Sequence, residues 1–210
     1  MLGTVPALWL AVSQTSAKPN DAVQAQVEAL TAVAKKLSSA GKDAQALEAY
    51  KTASGLMLGA PWLQHRTAEL ARKLRQPEVA ALHYRRAAAA FIGAGFPKRA
   101  LAPLRTAWQV AVSLLPGDVG SFVTITLELA NVQRELGFAA DAKLTLSNAN
   151  LALKSAGCPE RVPTSEPEHV SSRPEGRVES TLPPESGIKT SATLSFAGAL
   201  LSRLQAAVKP

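Results

Sequence analysis

Residues 41–87 read GKDAQALEAYKTASGLMLGAPWLQHRTAELARKLRQPEVAALHYRRA and contain one pattern twice. The pattern is an alanine, a tyrosine four residues later and an alanine three residues after that: Ala46, Tyr50 and Ala53, then Ala80, Tyr84 and Ala87. Positions i, i+4 and i+7 lie on one stripe of an α-helix. The alanines let a neighbouring helix approach closely, and the tyrosine fills the space beside them. A helix with this stripe cannot bury its apolar face alone, so the second copy predicts stacked helices.

Two further copies of the stripe carry leucine in place of tyrosine. They are Ala100, Leu104 and Ala107, then Ala142, Leu146 and Ala149. In three copies a glycine stands five residues before the first alanine, where a helix typically ends in a left-handed residue, and the copy at Ala80 has Arg75 instead. The third copy begins only 20 residues after the second. Either the repeats are irregular there or the third match is partly accidental.

The stripe and its 34-residue period resemble the tetratricopeptide repeat (TPR), a helix–turn–helix unit. The resemblance covers about residues 24–155. It implies an all-α fold, a TPR-like α-solenoid of about seven antiparallel helices. In this family the first helix of each repeat lines a concave groove that holds a peptide or a helix.

Apolar periodicity, prolines and glycines predict where the seven helices lie. The expected ranges are 21–40, 43–57, 61–75, 77–93, 97–115, 118–136 and 139–155. Pro103 should bend the fifth helix near residue 99, because proline removes one hydrogen bond of the helix.

Four segments follow from changes in composition. Residues 1–20 form a flexible N-terminal segment, residues 21–157 the TPR-like domain, residues 158–192 a disordered linker rich in Pro, Ser and Glu, and residues 193–208 a short amphipathic helix. The N-terminal segment includes an apolar run that is too short to span a bilayer. We therefore expect no transmembrane segment and a cytoplasmic protein. A secreted or periplasmic protein is the alternative if residues 1–17 are a signal peptide.

The net charge of +7 lies entirely in the helical part. Residues 66–105 carry nine Lys and Arg residues against Glu69 and Glu78. Such a segment attracts acidic protein, nucleic acid or anionic lipid, or it is a solvated surface without a partner. The single cysteine, Cys158, excludes a disulfide within one chain and fits a reducing compartment.

The sequence contains no assembled set of catalytic residues, no phosphate-binding loop and no metal-spaced Cys/His pair. We therefore expect a protein that is not an enzyme and that needs neither a cofactor nor a metal. Binding of a protein or peptide partner is the stronger hypothesis, and the basic segment predicts an acidic partner.

The family resemblance assigns groove positions. They are Thr31, Lys35 and Ser38 in the first repeat, and Trp62, His65, Glu69 and Arg72 in the second. Members that grip a C-terminal carboxylate carry Lys and Asn at the positions of Thr31 and Lys35, and this chain lacks that pair. For Trp62 the alternative is packing inside the helix hairpin.

Four basic residues are further candidates for contact with an acidic ligand. Lys98 and Arg99 lie in the first turn of the fifth helix, where the helix dipole disfavours positive charge, and Arg85 and Arg86 precede them on the fourth. Their alternative is surface charge without a partner. Nucleic-acid binding or a regulatory role through residues 66–105 is the second functional hypothesis, although no recognition motif or interleaved aromatic residue supports it.

The apolar residues near the C-terminus share one helical stripe. They are Leu194, Ala197, Leu201, Leu204 and Val208, broadened by Phe196 and Leu200. Such a helix docks into a second protein, folds back on its own helical domain or contacts a membrane surface. The first hypothesis is thus an adaptor or scaffold: its groove binds one partner and the tethered helix recruits a second, with Phe196, Leu200, Leu201 and Leu204 as contacts.

Overall fold

A computed structural model describes residues 19–159 and 162–163. These residues form seven helices and no strand. The helices are α1 (Pro19–Ser39), α2 (Asp43–Leu56), α3 (Pro61–Lys73), α4 (Pro77–Gly93), α5 (Pro97–Val112), α6 (Val119–Glu135) and α7 (Ala139–Ser155). The prediction of an all-α fold with seven helices is therefore confirmed for this part of the chain. The predicted linker beyond residue 163, the helix over 193–208 and residues 1–18 lie outside it.

All four copies of the small–large–small stripe are buried. Tyr50 and Tyr84 are among the largest fully buried side chains of the described residues, and each flanking alanine is no more than 1% exposed. The third copy, on α5, is buried as completely as the others, so its short distance from the second copy does not make it accidental. Helices α4 and α5, which follow each other directly, both use the stripe.

One turn geometry recurs five times. A left-handed residue donates its N–H to the carbonyl three positions earlier, and the next residue donates to the carbonyl five positions earlier. The left-handed residues are Gly41, Arg75, Gly95, Gly137 and Gly157. Four of these turns join α1 to α2, α3 to α4, α4 to α5 and α6 to α7, and each of these pairs packs together. The fifth, at Gly157, follows the end of α7.

Two predicted helix ends differ from the structure by a few residues. Helix α3 ends at Lys73 rather than 75, because Arg75 adopts φ 57° and leaves the helical region. Helix α5 continues through Pro103 and ends at Val112 rather than 115. Ser113, Leu114 and Leu115 instead donate to carbonyls three residues back, which tightens the chain before Pro116.

The described chain has a main apolar core and a smaller second one. The main core runs through all seven helices, with Ala107 and Ala111 as its buried residues on α5. The second core consists of Ala88 from α4, Ala100 and Leu104 from α5, and Leu129 and Val132 from α6. The three helices α4, α5 and α6 therefore share a compact contact region of their own.

The chain packs on α7 beyond the end of that helix. The Val162 N–H donates to Asn150 Oδ1 at 2.7 Å, and Asn150 Nδ2 donates to the Val162 carbonyl at 3.0 Å. Val162 is also buried. Packing thus extends past the predicted domain boundary at residue 157.

Replacing Tyr84 with Ala should lower the free energy of unfolding by about 3–5 kcal/mol, because it removes a buried ring between close helices. Urea unfolding of the full chain measures the loss. Tyr84→Phe, which keeps the ring, is the matched control and should cost much less. An unchanged midpoint for Tyr84→Ala would contradict the role of the stripe.

Replacing Arg75 with Gly should raise the free energy of unfolding by about 1 kcal/mol, since a left-handed residue with a side chain is strained. The gain is reduced by the greater freedom of glycine in the unfolded chain. Gly41→Ala, at φ 72°, is the reciprocal control and should destabilise the protein. Equal midpoints for Arg75→Gly and the parent chain in urea would show that the turn stores no strain.

Candidate binding surface

A surface recess of about 460 Å³ opens where α1, α2 and α3 meet. It is lined by Lys35, Ser38 and Ser39 from α1, Tyr50 from α2 and Arg66 from α3. Lys35 and Arg66 are exposed, whereas Tyr50 is buried beneath them. This α1–α3 recess therefore presents two cations beside hydroxyl groups, a set of donors that suits a carboxylate.

The face of α1 that carries Lys35 and Ser38 also carries Thr31, because residues at i, i+4 and i+7 share a stripe. These are the three groove positions assigned to the first repeat. Thr31 is 6% exposed, and its hydroxyl lacks a hydrogen-bond partner within the described residues. Ser38 Oγ donates to Asp43 Oδ1 at 3.0 Å, which ties this face to the start of α2.

On α3 the predicted residues His65 and Glu69 lie next to each other. His65 Nδ1 is 3.8 Å from Glu69 Oε1, and Arg66 Nη1 donates to Glu69 Oε2 at 3.1 Å. The His65 ring contacts the Tyr84 ring edge to face, with 5.4 Å between centroids. Glu69 thereby compensates part of the positive charge on this face and raises the pKa of Arg66.

Trp62 lies one turn before Arg66 on α3, and 55% of its surface is exposed. The alternative that it packs inside the hairpin is therefore wrong. Proline at residue 61 starts the helix, so the indole stands in the first turn, beside the solvent. An exposed tryptophan near cationic side chains is typical of residues that dominate the energy of a protein interface.

The basic candidates divide into exposed and paired residues. Arg72, Arg86, Lys98 and Arg99 are exposed. Arg99 lies over the ring of the exposed Phe96, with its guanidinium carbon 5.1 Å from the centroid. These four residues remain available to a ligand.

Arg85 has a partner within the fold. Its Nε lies 2.8 and 2.9 Å from the two carboxylate oxygens of Glu128 on α6, and its Nη2 lies 2.7 Å from Oε1. This contact raises the pKa of Arg85 and joins α4 to α6. Arg85 therefore serves helix packing, and its role as a ligand contact stays a prediction without geometric support. Phe196, Leu200, Leu201 and Leu204 lie outside the described residues.

Sequence reasoning missed Arg66 and assigned Tyr50 to packing alone. A signal for Arg66 was present, because it follows Trp62 by four residues and precedes Glu69 by three, which places all of them on the outer face of α3. The hydroxyl of Tyr50 gave no such signal, since its position depends on how α2 packs against α3.

A buried polar chain links α2, α3 and α4 beneath this surface. Gln64 Nε2 donates to the Ser54 carbonyl at 2.9 Å, so Gln64 Oε1 accepts from His83 Nδ1 at 2.8 Å. His83 is 4% exposed, and burial lowers its pKa to about 4, with Arg86 and Lys51 adding to the effect. His83 is therefore neutral at physiological pH and fixes the relative positions of three helices.

Within the described residues no group of three His, Cys, Asp or Glu side chains is placed to hold a metal ion. No described helix combines the length and the apolar character that crossing a membrane requires. Comparison of the chain with protein-family models, with curated proteins and with solved structures gives no match.

Lowering the pH from about 7 to about 4.5 should cost about 2 kcal/mol of unfolding free energy through His83. The unfolded chain binds a proton near pH 6.5, whereas the folded chain resists protonation down to about pH 4, so stability falls as pH falls through this window. Urea midpoints at several pH values measure the loss. Carboxylates such as Asp43 add to the slope at the acid end, so the difference between variants isolates the histidine.

His83→Gln should be less stable at neutral pH but should lose the part of the slope that belongs to His83. The half-buried His65→Gln variant, which leaves the Gln64–His83 contact in place, is the control and should keep the part of the slope that belongs to His83. Parallel pH profiles for the parent and His83→Gln would show that burial of this histidine is not what limits stability in acid.

Proposed function

We propose that this chain is a non-enzymatic adaptor, built as a TPR-like α-solenoid, that binds an acidic peptide or helix along α1 and α3. The α1–α3 recess carries the proposal, since it joins Lys35 and Arg66 over the buried Tyr50. The exposed Trp62 one turn away supplies an apolar anchor. Cationic donors beside an apolar anchor fit a segment that carries acidic and apolar side chains together.

The order of helix contacts supports the solenoid. Each helix packs principally on the helices that precede and follow it in the chain, from α1–α2 through α6–α7. The repeated left-handed turn gives four of these six pairs the same short connection. A chain that packs mainly on its sequence neighbours builds an extended stack, and such a stack presents a long surface to partners.

Part of the basic segment is paired within the fold. Of its nine basic residues, Arg66 bonds Glu69, Lys73 Nζ lies 2.6 Å from Asp43 Oδ2, and Arg85 bonds Glu128. Internal carboxylates thus reduce the charge that this segment offers to an acidic peptide and to a phosphate backbone alike. The alternative, binding of nucleic acid or regulation through residues 66–105, rests on the exposed Arg72, Arg86, Lys98 and Arg99.

The adaptor proposal includes a second contact through the apolar stripe of residues 193–208. A segment tethered to the helical domain reaches its partner at an effective concentration in the millimolar range. The half-buried Cys158, the single cysteine of the chain, fits action in the reducing cytoplasm.

Panning a random peptide library on the full chain should enrich sequences with Asp or Glu next to large apolar residues. For an enriched synthetic peptide, Lys35→Glu should weaken binding by about tenfold or more, because it reverses a charge in the recess. Trp62→Ala should weaken it at least as much, as truncation of an interface anchor does. Fluorescence anisotropy measures both.

Lys36→Glu and Leu58→Ala are the matched controls, since Lys36 is exposed on α1 without lining the recess and Leu58 is as exposed as Trp62. Losses of equal size in these controls would contradict a site at the α1–α3 recess. A steep linear fall of log affinity with log salt concentration, with oligonucleotides as good as peptides, would favour the nucleic-acid alternative.

A further inference from the structure

A second recess, of about 430 Å³, lies above the smaller apolar core. Ala88, Ala89, Ile92 and Gly93 of α4 and four residues near the end of α6 form its walls, and Leu104 of α5 forms its floor. Because Leu104, Ala88 and Val132 also belong to the small core, this α4–α6 recess borders that core directly. Its volume is within the range of about 300–1,000 Å³ that occupied apolar sites show.

The charge of the α4–α6 recess is opposite to that of the protein. Its described lining includes Glu128 and Glu135 and no Lys or Arg, in a helical region that carries the whole net charge of +7. Glu128 is compensated by Arg85. Glu135 is exposed in the last turn of α6 and forms no ion pair within the described residues. A negative charge at the C-terminal end of a helix is unfavourable unless a cation reaches it.

The C-terminal segment of the same chain complements this recess in both apolar character and charge. Residues 187–210 contain no Asp or Glu, and they carry Lys189, Arg203 and Lys209. Their apolar side chains from Leu194 to Val208 fall at helical spacing. The segment thus offers an apolar stripe together with cations, whereas the recess offers an apolar floor and a free carboxylate.

The tether is long enough for this contact. Val162 is fixed to Asn150 on α7, and the α4–α6 recess lies at the end of α6 that turns into α7. The separation is therefore on the order of one helix of this length, about 25 Å. The 30 residues between Pro163 and Leu194 span about 30 Å as a random chain and about 100 Å when extended. Binding within one chain is accordingly favoured over binding between chains.

We propose that residues 194–208 dock in cis into the α4–α6 recess, with Arg203 or Lys209 beside Glu135. This inference goes beyond the adaptor proposal, because it does not depend on what binds at the α1–α3 recess. Docking in cis adds one condition to the adaptor proposal: a second partner that binds the C-terminal segment has to displace the segment from the α4–α6 recess.

Amide NMR spectra of the full chain test the contact against those of the double variant Leu201→Glu/Leu204→Glu. We expect shift differences at Ala89, Gly93, Asn131 and their neighbours on α4 and α6, and none around Lys35 and Arg66. The differences should not change with protein concentration. Because the substitutions lie in the tail, the fold of the helices is not at risk.

A second readout is the rate at which trypsin cleaves after Arg203 in the full chain. Ile92→Glu, which puts a charge into the recess, should speed this cleavage several-fold, while cleavage after Arg177 in the tether stays unchanged. Leu144→Glu is the matched control, because Leu144 is also exposed and lies on α7, away from the recess. It should leave both rates as they are.

Three results would overturn the proposal. Identical spectra for the parent and the double variant at α4 and α6 would show that the segment binds elsewhere. Shift differences that grow with protein concentration would assign the recess to a second copy of the chain. Equal cleavage rates after Arg203 in the parent and Ile92→Glu would show that the recess does not protect the segment. None of these results bears on the peptide affinities that test the α1–α3 recess.

Discussion

Close approach of helices across alanine is the constraint on which the other features of this structure depend. Each stripe residue at the first and last positions is an alanine, and all eight are essentially inaccessible to solvent. A larger side chain at any of these positions would push two helices apart, and the buried ring or leucine between them would lose its contacts. The spacing of the helices also sets the width of both recesses, because each recess is the gap left where three helices meet.

The same constraint explains why polar groups are few inside and why those present, apart from the Thr31 hydroxyl, are connected within the described residues. Close helices leave little room for water, so a buried amide or imidazole has to find its partner in the protein. Gln64 does so by joining the Ser54 carbonyl to the His83 ring. Trp108 does so by donating to Thr126 Oγ1 at 3.0 Å, which connects α5 to α6. These contacts fix the rotation of each helix more narrowly than apolar packing alone would.

Local spacing predicted the elements of the fold, and only part of the surface chemistry. The four stripes are local signals, and so is the glycine that stands five residues before three of them. All four stripes are buried, as their spacing indicated. Arg75, which departs from the glycine pattern, nevertheless adopts the same left-handed conformation, because the hydrogen bonds of the turn outweigh a strain of about 1 kcal/mol. The hydrogen bonds of the whole turn, and not a glycine at one position, therefore determine where the helix ends.

The surface depends on contacts between residues that are distant in sequence, and these leave no local signal. Arg85 and Glu128 are 43 positions apart, and nothing in the spacing of either helix indicates that they meet. Trp62 was equally compatible with burial and exposure, because its neighbours in the first turn of α3 are mixed in polarity. The α4–α6 recess draws its lining from three helices, so it becomes visible only when these helices are packed.

The two recesses differ in charge, and each therefore favours a ligand of the opposite charge. At the α1–α3 recess, Lys35 and Arg66 disfavour a cationic segment such as the acid-free C-terminal residues 187–210. At the α4–α6 recess, Glu135 disfavours the acidic ligand proposed for the other site, whereas Arg85 compensates Glu128. A chain that carries its own apolar tail needs such a distinction, because an apolar groove without charge would bind the tail and the partner alike. Under the two proposals, the opposite charges therefore favour occupation of both recesses at the same time, the α1–α3 recess by the partner and the α4–α6 recess by the tail.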